Sequence, residues 1–115
     1  MEGGVELPER CVPCRGGVAL TRDDAREHSL LLTGWELAFP RLRREYRLKD
    51  FRRALAWVNR VGEIAEEQGH HPDVHLTDWN RVALELWTHA VDGLHVNDFV
   101  LAREIDLAWE GFASR

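Results

Sequence analysis

Long apolar runs are absent from this 115-residue sequence, and so is any excess of positive charge. No segment approaches the roughly 20 apolar residues that a membrane-spanning helix needs, and the N-terminus does not have the apolar stretch of a secretory signal. The formal net charge of −5 argues against a nucleic-acid surface, because such surfaces use clustered Lys and Arg to neutralise phosphates. We therefore expect a cytoplasmic protein with no membrane and no nucleic-acid partner.

Cysteine is also scarce, since Cys11 and Cys14 are the only two. They form a Cys-x-x-Cys pair, but a structural zinc usually takes four protein ligands, so the pair supplies at most half of such a site. A redox pair would be expected at a helix start after a strand, and nothing before Cys11 has the pattern of a strand. We favour reduced thiols without a chemical role; a zinc site completed by histidines is the alternative.

The chain is long enough for a single hydrophobic core. Residues 1–20 are rich in Gly and Pro and show no hydrophobic period, so they are predicted to form a flexible N-terminal segment that carries the Cys-x-x-Cys pair. Residues 21–115 are predicted to form one domain. Thr21 followed by Asp24 resembles a capping box, and the helix that it opens is expected to run to about Thr33.

Two strands and a long helix are expected next. Apolar and polar residues mostly alternate over 35–39 and 42–48, which predicts a hairpin. Asp50 is expected to cap the longest helix, which ends at Gly69. The predicted buried stripe of this helix recurs every three or four positions and consists of Phe51, Leu55, Val58, Val61 and Ala65.

Two further strands and a final helix are expected in the second half of the chain. A connection leads through Asp73 towards Trp79, and alternating apolar residues then mark a half-buried strand over 82–89. Asn97 and Asp98 are good helix starters, and an apolar stripe follows them to the end of the chain. The element order α-β-β-α-β-β-α favours an α+β domain, a four-stranded antiparallel sheet with helices packed on one face. The tryptophans are interpreted mainly as core residues.

Ionisable side chains lie at the ends of these elements. His70 and His71 follow the helix stop at Gly69, and Pro72 forbids a return to helix. A third imidazole, His89, comes at the end of the last strand. Because rigid scaffolds usually present functional groups at element ends, the three histidines are candidate site residues.

Two carboxylates are candidates to orient these rings. Glu66 lies one helical turn before His70, and Asp98 can reach back towards His89 if the last helix begins beside the sheet. Such carboxylates would fix tautomers and bias charge. The alternatives are a solvated helix residue for Glu66 and a plain helix cap for Asp98.

Two kinds of chemistry fit the histidines. Zinc ligands on a helix more often lie at i and i+4; since His70 and His71 are neighbours, a metal site is the weaker hypothesis, although His75 could add a ligand. Imidazole titrates at about pH 6.5, so one ring can accept a proton while another, held charged by a carboxylate, gives one. The residue types therefore favour metal-free acid/base catalysis.

A specific combination of residues resembles the motif of a known family. The residues are Glu66, His70-His71-Pro72-Asp73, Thr88-His89, Gly93-Leu94 and Asn97-Asp98, with Gly34-Trp35 and Lys49-Asp50-Phe51. Together they resemble the pterin-4a-carbinolamine dehydratases over about residues 20–112, and the N-terminal Cys-x-x-Cys resembles bacterial members. Six residues separate Pro72 from Trp79, one more than in the family pattern, and a bulge or a longer loop could absorb the extra residue.

The resemblance implies both a fold and an activity. Members are small α+β lyases that dehydrate a 4a-hydroxytetrahydropterin to the quinonoid dihydropterin in tetrahydropterin recycling, with no metal and no organic cofactor. The implied catalytic residues are His70, His71 and His89. The implied substrate-binding residues are Glu66, Gly69, Pro72, Thr88 and Asp98. Our hypothesis is that His70 and His89 handle the hydroxyl and its proton, while His71 orients the ring.

The resemblance also implies partners. These are a pterin substrate, a second copy or more of the chain in a homodimer or homotetramer, and a functional link to an aromatic amino acid hydroxylase. Some members act as dimerisation partners of a homeodomain transcription factor, so a non-enzymatic binding protein is the competing function. A histidine-based metal-binding protein is the other alternative. The presence of all three histidines favours the enzyme.

Overall fold

The computed structural model describes residues 6–12 and 18–114. Cys14 lies outside the described residues, so only Cys11 of the predicted Cys-x-x-Cys pair is described. The helices are α1 (Arg22–Ser29), α2 (Phe51–Gln68) and α3 (Val96–Ala113), and the strands are β1 (Glu36–Ala38), β2 (Arg41–Arg47), β3 (Asp73–Thr77) and β4 (Arg81–Leu86). A short 3₁₀ helix, His89–Val91, joins β4 to α3.

The strands form one antiparallel sheet in the spatial order β1-β2-β4-β3. The central strands β2 and β4 contribute the buried side chains Leu42, Tyr46, Val82, Leu84 and Leu86, which share one hydrophobic cluster with residues of α2 and α3. The sheet is therefore covered by the helices on the face that carries the core. The predicted α+β class and the predicted order of elements are confirmed.

Helix α1 is shorter than expected. The Thr21 hydroxyl accepts from the Asp24 N–H at 3.1 Å, as the capping pattern predicted. The helix ends at Ser29 and not near Thr33, because the chain then continues in tighter turns, in which the N–H of Leu32 bonds to the carbonyl of Ser29 at 3.1 Å. The predicted start of the helix is correct, and its predicted end is four residues too late.

Helix α2 ends as its sequence predicts. Asp50 accepts from the Arg53 N–H at 2.7 Å at the N-terminus. At the C-terminus Gly69 has φ +65°, and the N–H of His70 bonds to the carbonyl of Ala65 at 3.2 Å. This left-handed stop with a bond from the following residue satisfies the last carbonyls of the helix, and it turns the chain sharply just before the two adjacent histidines.

The buried face of α2 differs from the predicted stripe. Phe51 is 50% exposed and Leu55 is 42% exposed, although both were predicted to be buried. The buried residues are Ala54, Trp57, Val61, Ile64 and Ala65. The face is centred on Trp57 because this large indole fills the space between the sheet and α3, which rotates the two N-terminal apolar residues outwards.

An aromatic cluster holds α2, α3 and β2 together. The ring of Trp57 lies 5.3 Å from Tyr46, 4.9 Å from Trp109 and 5.0 Å from Phe112, centroid to centroid. Such tilted and edge-to-face pairs add to the stabilisation from burial. Trp79 does not fit the core interpretation, because it is 60% exposed. Within the described residues, none of the helices has the combination of length and apolarity that a bilayer crossing requires.

Trp79 lies in the turn between β3 and β4. Thr77 pairs with Arg81, so three residues form the connection, and Asp78 and Trp79 both have positive φ angles, of 51° and 54°. The pairing of β3 with β4 is continuous from Asp73 to Thr77, without a bulge. The extra residue noted in the sequence is therefore accommodated outside the paired segment.

The described residues 6–12 contact the domain. The Arg103 guanidinium donates to the backbone carbonyls of Pro8 and Glu9 at 2.8 and 2.9 Å, and the Arg10 guanidinium donates to the carbonyl of Glu67 at 3.0 Å. The division of the chain at residues 20 and 21 stays a prediction.

Helix α3 begins earlier than expected, with His95 as its N-cap. The His95 Nδ1 atom accepts from the Asn97 N–H at 3.0 Å, and the His95 N–H donates to Asp98 Oδ2 at 3.0 Å. Asn97 and Asp98 therefore lie inside the first turn. Burial lowers the pKa of His95 below its ordinary value of 6.5, partly offset by Asp98, which raises it, while His70 lowers it further.

We predict that His95 makes the protein less stable in mild acid. Only the neutral ring has a lone pair for the cap, and because the pKa is lowered in the folded state, the unfolded state binds more protons as the pH falls below about 6.5. The free energy of unfolding should therefore fall with pH through that window. His95→Asn keeps a capping side chain that does not titrate, so the variant should lose less stability than the wild type between pH 7.5 and 5. Urea unfolding at each pH measures this, and parallel profiles would contradict it.

Candidate active site

The most buried ion pair in the candidate site joins His70 to Asp98. His70 Nε2 lies 2.6 Å from Asp98 Oδ1, and the two side chains are 13% and 0% exposed. His70 follows the end of α2, whereas Asp98 lies in the first turn of α3. The pair therefore fixes the exit of one helix against the start of another.

The Asp98 carboxylate receives two further hydrogen bonds. The Thr88 hydroxyl donates to Oδ2 at 2.8 Å, and the His95 backbone N–H donates to the same oxygen at 3.0 Å. A buried carboxylate is tolerated only when it is paired and hydrogen-bonded, and these contacts meet that condition. Because an ionised carboxylate can only accept, the His70 Nε2 that faces it carries a proton. The Nδ1 atom is then the ring nitrogen left for other contacts.

His71 pairs with the other predicted carboxylate. His71 Nε2 lies 2.6 Å from Glu66 Oε2, and these side chains are 61% and 78% exposed. The sequence placed Glu66 beside His70 and Asp98 beside His89, and both of these pairings are wrong. The left-handed stop at Gly69 takes His70 off the helical path, so it turns inwards to Asp98 and leaves the following residue beside Glu66.

His89 lies just after β4, in the 3₁₀ turn. Strand β4 ends at Leu86, earlier than predicted, and Thr88 forms an isolated bridge with Gly93 that closes the loop between them. The exposed ring of His89 packs against the Trp87 ring with 4.0 Å between centroids. This tight loop presents His89 on the same side of the molecule as the end of α2.

These elements enclose an open cleft of about 440 Å³. Five of the residues selected from the sequence line it, namely Gly69, His70, His71, Thr88 and His89. The other three do not. Asp98 lies beneath His70 and Thr88, while Glu66 lies beside His71 and Pro72 follows it along the chain. These three are placed to position the lining residues.

Sequence reasoning missed six lining residues, Cys11, Val12, Gln68, Trp87, Ala90 and Asn97. Gln68 and Trp87 are neighbours of selected residues, so adjacency was an available signal for them. Val12 gave none, because the segment before α1 shows no period from which its path could be predicted. Cys11 was considered only as an idle thiol or as a ligand of a zinc site completed by histidines. Asn97 was interpreted as a helix starter and as part of the family signature, but not as a residue of the cleft.

Trp87 is itself held in place from the sheet side. The Arg41 guanidinium lies over its ring at 4.3 Å from the centroid, and the indole N–H donates to Asp73 Oδ2 at a long 3.4 Å. Arg41 and Asp73 lie 3.7 Å apart as an ion pair. The ring that packs on His89 is thus fixed by neighbours on β2 and β3.

Within residues 6–12 and 18–114, no group of three or more His, Cys, Asp and Glu side chains is arranged to hold a metal ion. Two of the three cleft histidines are each bonded to one carboxylate, His70 to Asp98 and His71 to Glu66. Imidazoles oriented by carboxylates in a cleft are suited to proton transfer.

We predict that the two carboxylates differ sharply in their contribution to stability. Asp98→Asn removes the charge that accepts three hydrogen bonds in a buried place, and the free energy of unfolding should fall by about 3 kcal/mol. Glu66→Gln is the matched control, because an exposed ion pair contributes close to nothing. Urea unfolding of both variants at pH 7 measures the difference. Equal stabilities would show that the Asp98 cluster is not what holds these elements together.

The chain matches a known family over most of its length. The family described as pterin 4 alpha carbinolamine dehydratase matches residues 18–108. A putative pterin-4-alpha-carbinolamine dehydratase of Rubrobacter xylanophilus is 47% identical over 104 residues, which cover 88% of this chain and 96% of that protein. The mitochondrial pterin-4-alpha-carbinolamine dehydratase 2 of Arabidopsis thaliana is 43% identical over 104 residues, which cover 85% of this chain but only 56% of the plant protein.

A solved structure has the same fold. The transcriptional coactivator/pterin dehydratase of Brucella melitensis superposes with a TM-score of 0.71 at 28% identity, covering 77% of this chain and 96% of that one. The match to the family over most of the chain, the bacterial relative of nearly equal length and the shared fold lead to one conclusion. This chain belongs to the pterin-4a-carbinolamine dehydratase family.

Proposed function

We propose that this protein is a hydro-lyase that removes water from a 4a-hydroxytetrahydropterin and releases the quinonoid dihydropterin. Membership of the family supports the activity. The observation that carries it is the convergence of His70, His71 and His89 on one cleft. The volume of the cleft, about 440 Å³, is in the range of small-molecule sites.

The reaction needs an acid and a base close together. The C4a–O bond breaks with its electron pair on oxygen, and hydroxide is a poor leaving group unless it is protonated as it departs. The proton on N5 must be removed so that the nitrogen lone pair can form the new C=N bond. The proton delivered and the proton removed balance, and the products are water and the quinonoid dihydropterin. Positioned imidazoles supply both functions near neutral pH.

We assign the proton transfers to His70 and His89, and the orientation of the pterin ring to His71. The bond from Nε2 to Asp98 fixes the ring of His70 and leaves Nδ1 for the substrate, so we assign to His70 Nδ1 the delivery of a proton to the departing hydroxyl. His89 packs on Trp87 and is exposed to the cleft, where it can take the proton from N5. His71 lies at the open rim, bonded to Glu66.

The remaining selected residues act mainly by positioning. The Thr88 hydroxyl donates to Asp98, so it supports the carboxylate behind His70. Gly69 provides the left-handed turn that separates the two histidines from α2, and Pro72 keeps the chain extended into β3. Glu66 restrains His71 from an exposed position, which makes its contribution the weakest of the set.

We predict that His70→Ala and His89→Ala each lower kcat for a chemically generated 4a-hydroxytetrahydropterin by about 10²- to 10⁴-fold, because each removes one proton-transfer group. His75→Ala is the matched control. His75 is an exposed histidine on β3 that does not line the cleft, so its loss should leave kcat unchanged. Stopped-flow absorbance of the quinonoid product measures the rate. Turnover by the His70 or His89 variant equal to that of the control would refute the catalytic assignment.

We further propose that the protein self-associates as a homodimer or homotetramer. Phe51 and Leu55 present exposed apolar surface on the outer side of α2, and within the described residues β3 pairs with β4 along one edge only. Exposed apolar residues and a free strand edge are features that oligomers cover. A second copy of the chain would cover this surface without occupying the cleft.

We predict that Phe51→Glu weakens self-association, because a charge on the proposed contact face must be desolvated when the copies meet. Leu30→Glu is the control, since Leu30 is 78% exposed at the end of α1 and is not part of the proposed contact face. Light scattering coupled to gel filtration gives the mass of each variant. A wild-type protein that elutes as a monomer, or a Phe51→Glu variant with unchanged mass, would reject this interface.

A further inference from the structure

The cleft has a wall that comes from outside the residues matched by the family. Cys11 and Val12 line the cleft, whereas the family match begins at residue 18. The Cys11 N–H donates to Gln68 Oε1 at 2.8 Å, and the Val12 N–H donates to Asn97 Oδ1 at 2.8 Å. The segment is thus bonded to the end of α2 on one side and to the start of α3 on the other.

Asn97 holds this wall with both of its polar groups. In addition to accepting from the Val12 N–H, its Nδ2 donates to the Val12 carbonyl at 2.6 Å. The side chain is 2% exposed, so each unmet group would carry the desolvation penalty of a buried polar atom. The pair of bonds fixes both the position and the rotation of the Val12 backbone.

The wall is set against His70 by residues that are adjacent in sequence. Asn97 is hydrogen-bonded to the Val12 backbone, and the next residue, Asp98, is hydrogen-bonded to His70 at 2.6 Å. Gln68 bonds to Cys11 two residues before His70. The two residues that hold the wall, Gln68 and Asn97, are therefore close in sequence to His70 and Asp98. This connection restricts movement of the wall relative to the His70 ring.

We propose that Cys11 and Val12 form one wall of the pterin site, that the Val12 side chain makes an apolar contact with the bound ring, and that Asn97 is the positioning residue that seats this wall. The inference rests on the proposed function, and it extends the substrate site into the N-terminal segment.

The chemistry of the wall suits an uncharged heterocycle. Val12 is 45% exposed, so its apolar surface is available to a ligand. Burial raises the pKa of the Cys11 thiol to about 11, with a further contribution from the negative charge of Asp98, and the thiol is therefore neutral near pH 7. Its Sγ lies 3.4 Å from the Asn97 carbonyl, to which it donates. The wall thus adds no charge beside the His70–Asp98 pair.

The test separates binding from chemistry. Val12→Ala removes two methyl groups from the wall and should raise KM by about three- to tenfold while kcat stays within about twofold of the wild type. Asn97→Ala unseats the same wall and should raise KM at least as much. Val18→Ala is the matched control, because Val18 is 92% exposed and is not part of the cleft lining. Its KM should equal that of the wild type.

A second readout does not depend on turnover. The dissociation constant of a stable 7,8-dihydropterin, measured by quenching of tryptophan fluorescence, should rise in the same proportion as KM in both variants. Thermal unfolding checks the fold of Asn97→Ala, and if that variant does not fold, the exposed Val12→Ala decides alone. An unchanged KM and dissociation constant for Val12→Ala would refute the proposed contact between Val12 and the pterin ring. A fall in kcat alone would refute it as well.

The outcomes also distinguish this inference from the proposed function. Wild-type protein that binds the dihydropterin but does not dehydrate a 4a-hydroxytetrahydropterin would overturn the proposed activity, and the dissociation constants would still decide on the wall. Wild-type protein that turns over, with Val12→Ala indistinguishable from it, would overturn the wall and leave the activity intact. Absence of both binding and turnover would overturn both.

Discussion

The structure depends on one buried carboxylate. Asp98 is fully buried and accepts from His70, from the Thr88 hydroxyl and from the His95 backbone N–H. These donors belong to the exit of α2, to the loop after β4 and to the N-cap of α3. A charge taken out of water is stable only where its lone pairs are used, so these three elements must meet at Asp98. The placement of His70 in the cleft is a consequence of that requirement.

The two histidine–carboxylate pairs differ mainly in burial. Both pairs have a distance of 2.6 Å, but His70 and Asp98 are mostly or fully buried whereas His71 and Glu66 are largely exposed. In the buried pair, little water competes with the hydrogen bond, and the ring of His70 is held in one orientation. In the exposed pair, solvent weakens the interaction, so Glu66 restrains His71 less firmly. The pairing of an imidazole with a carboxylate therefore gives a firmly held ring in the buried pair and a less firmly held ring in the exposed one.

Much of the fold could be predicted because its determinants are local. The Asp50 cap, the stop at Gly69 and the alternation in the strands act through neighbours in sequence. Errors arose where packing overrides local pattern. Phe51 fits the helical stripe of α2 yet is 50% exposed, because Trp57 takes the centre of the core. Trp79 is a large apolar residue, but it lies in a turn with positive φ and faces solvent.

Local sequence signals are sufficient to place the imidazoles at element ends, since a left-handed glycine and a following proline stop a helix whatever surrounds them. The pairing of each carboxylate with its imidazole, and the position of Val12 at the cleft, follow from the packing of the whole chain. Hydrogen bonds between distant positions depend on how helices and loops pack, and a turn of one residue at Gly69 was enough to exchange the partner of His70. Local rules act over one helical turn, and the Asp98–His70 pair spans 28 positions of the chain.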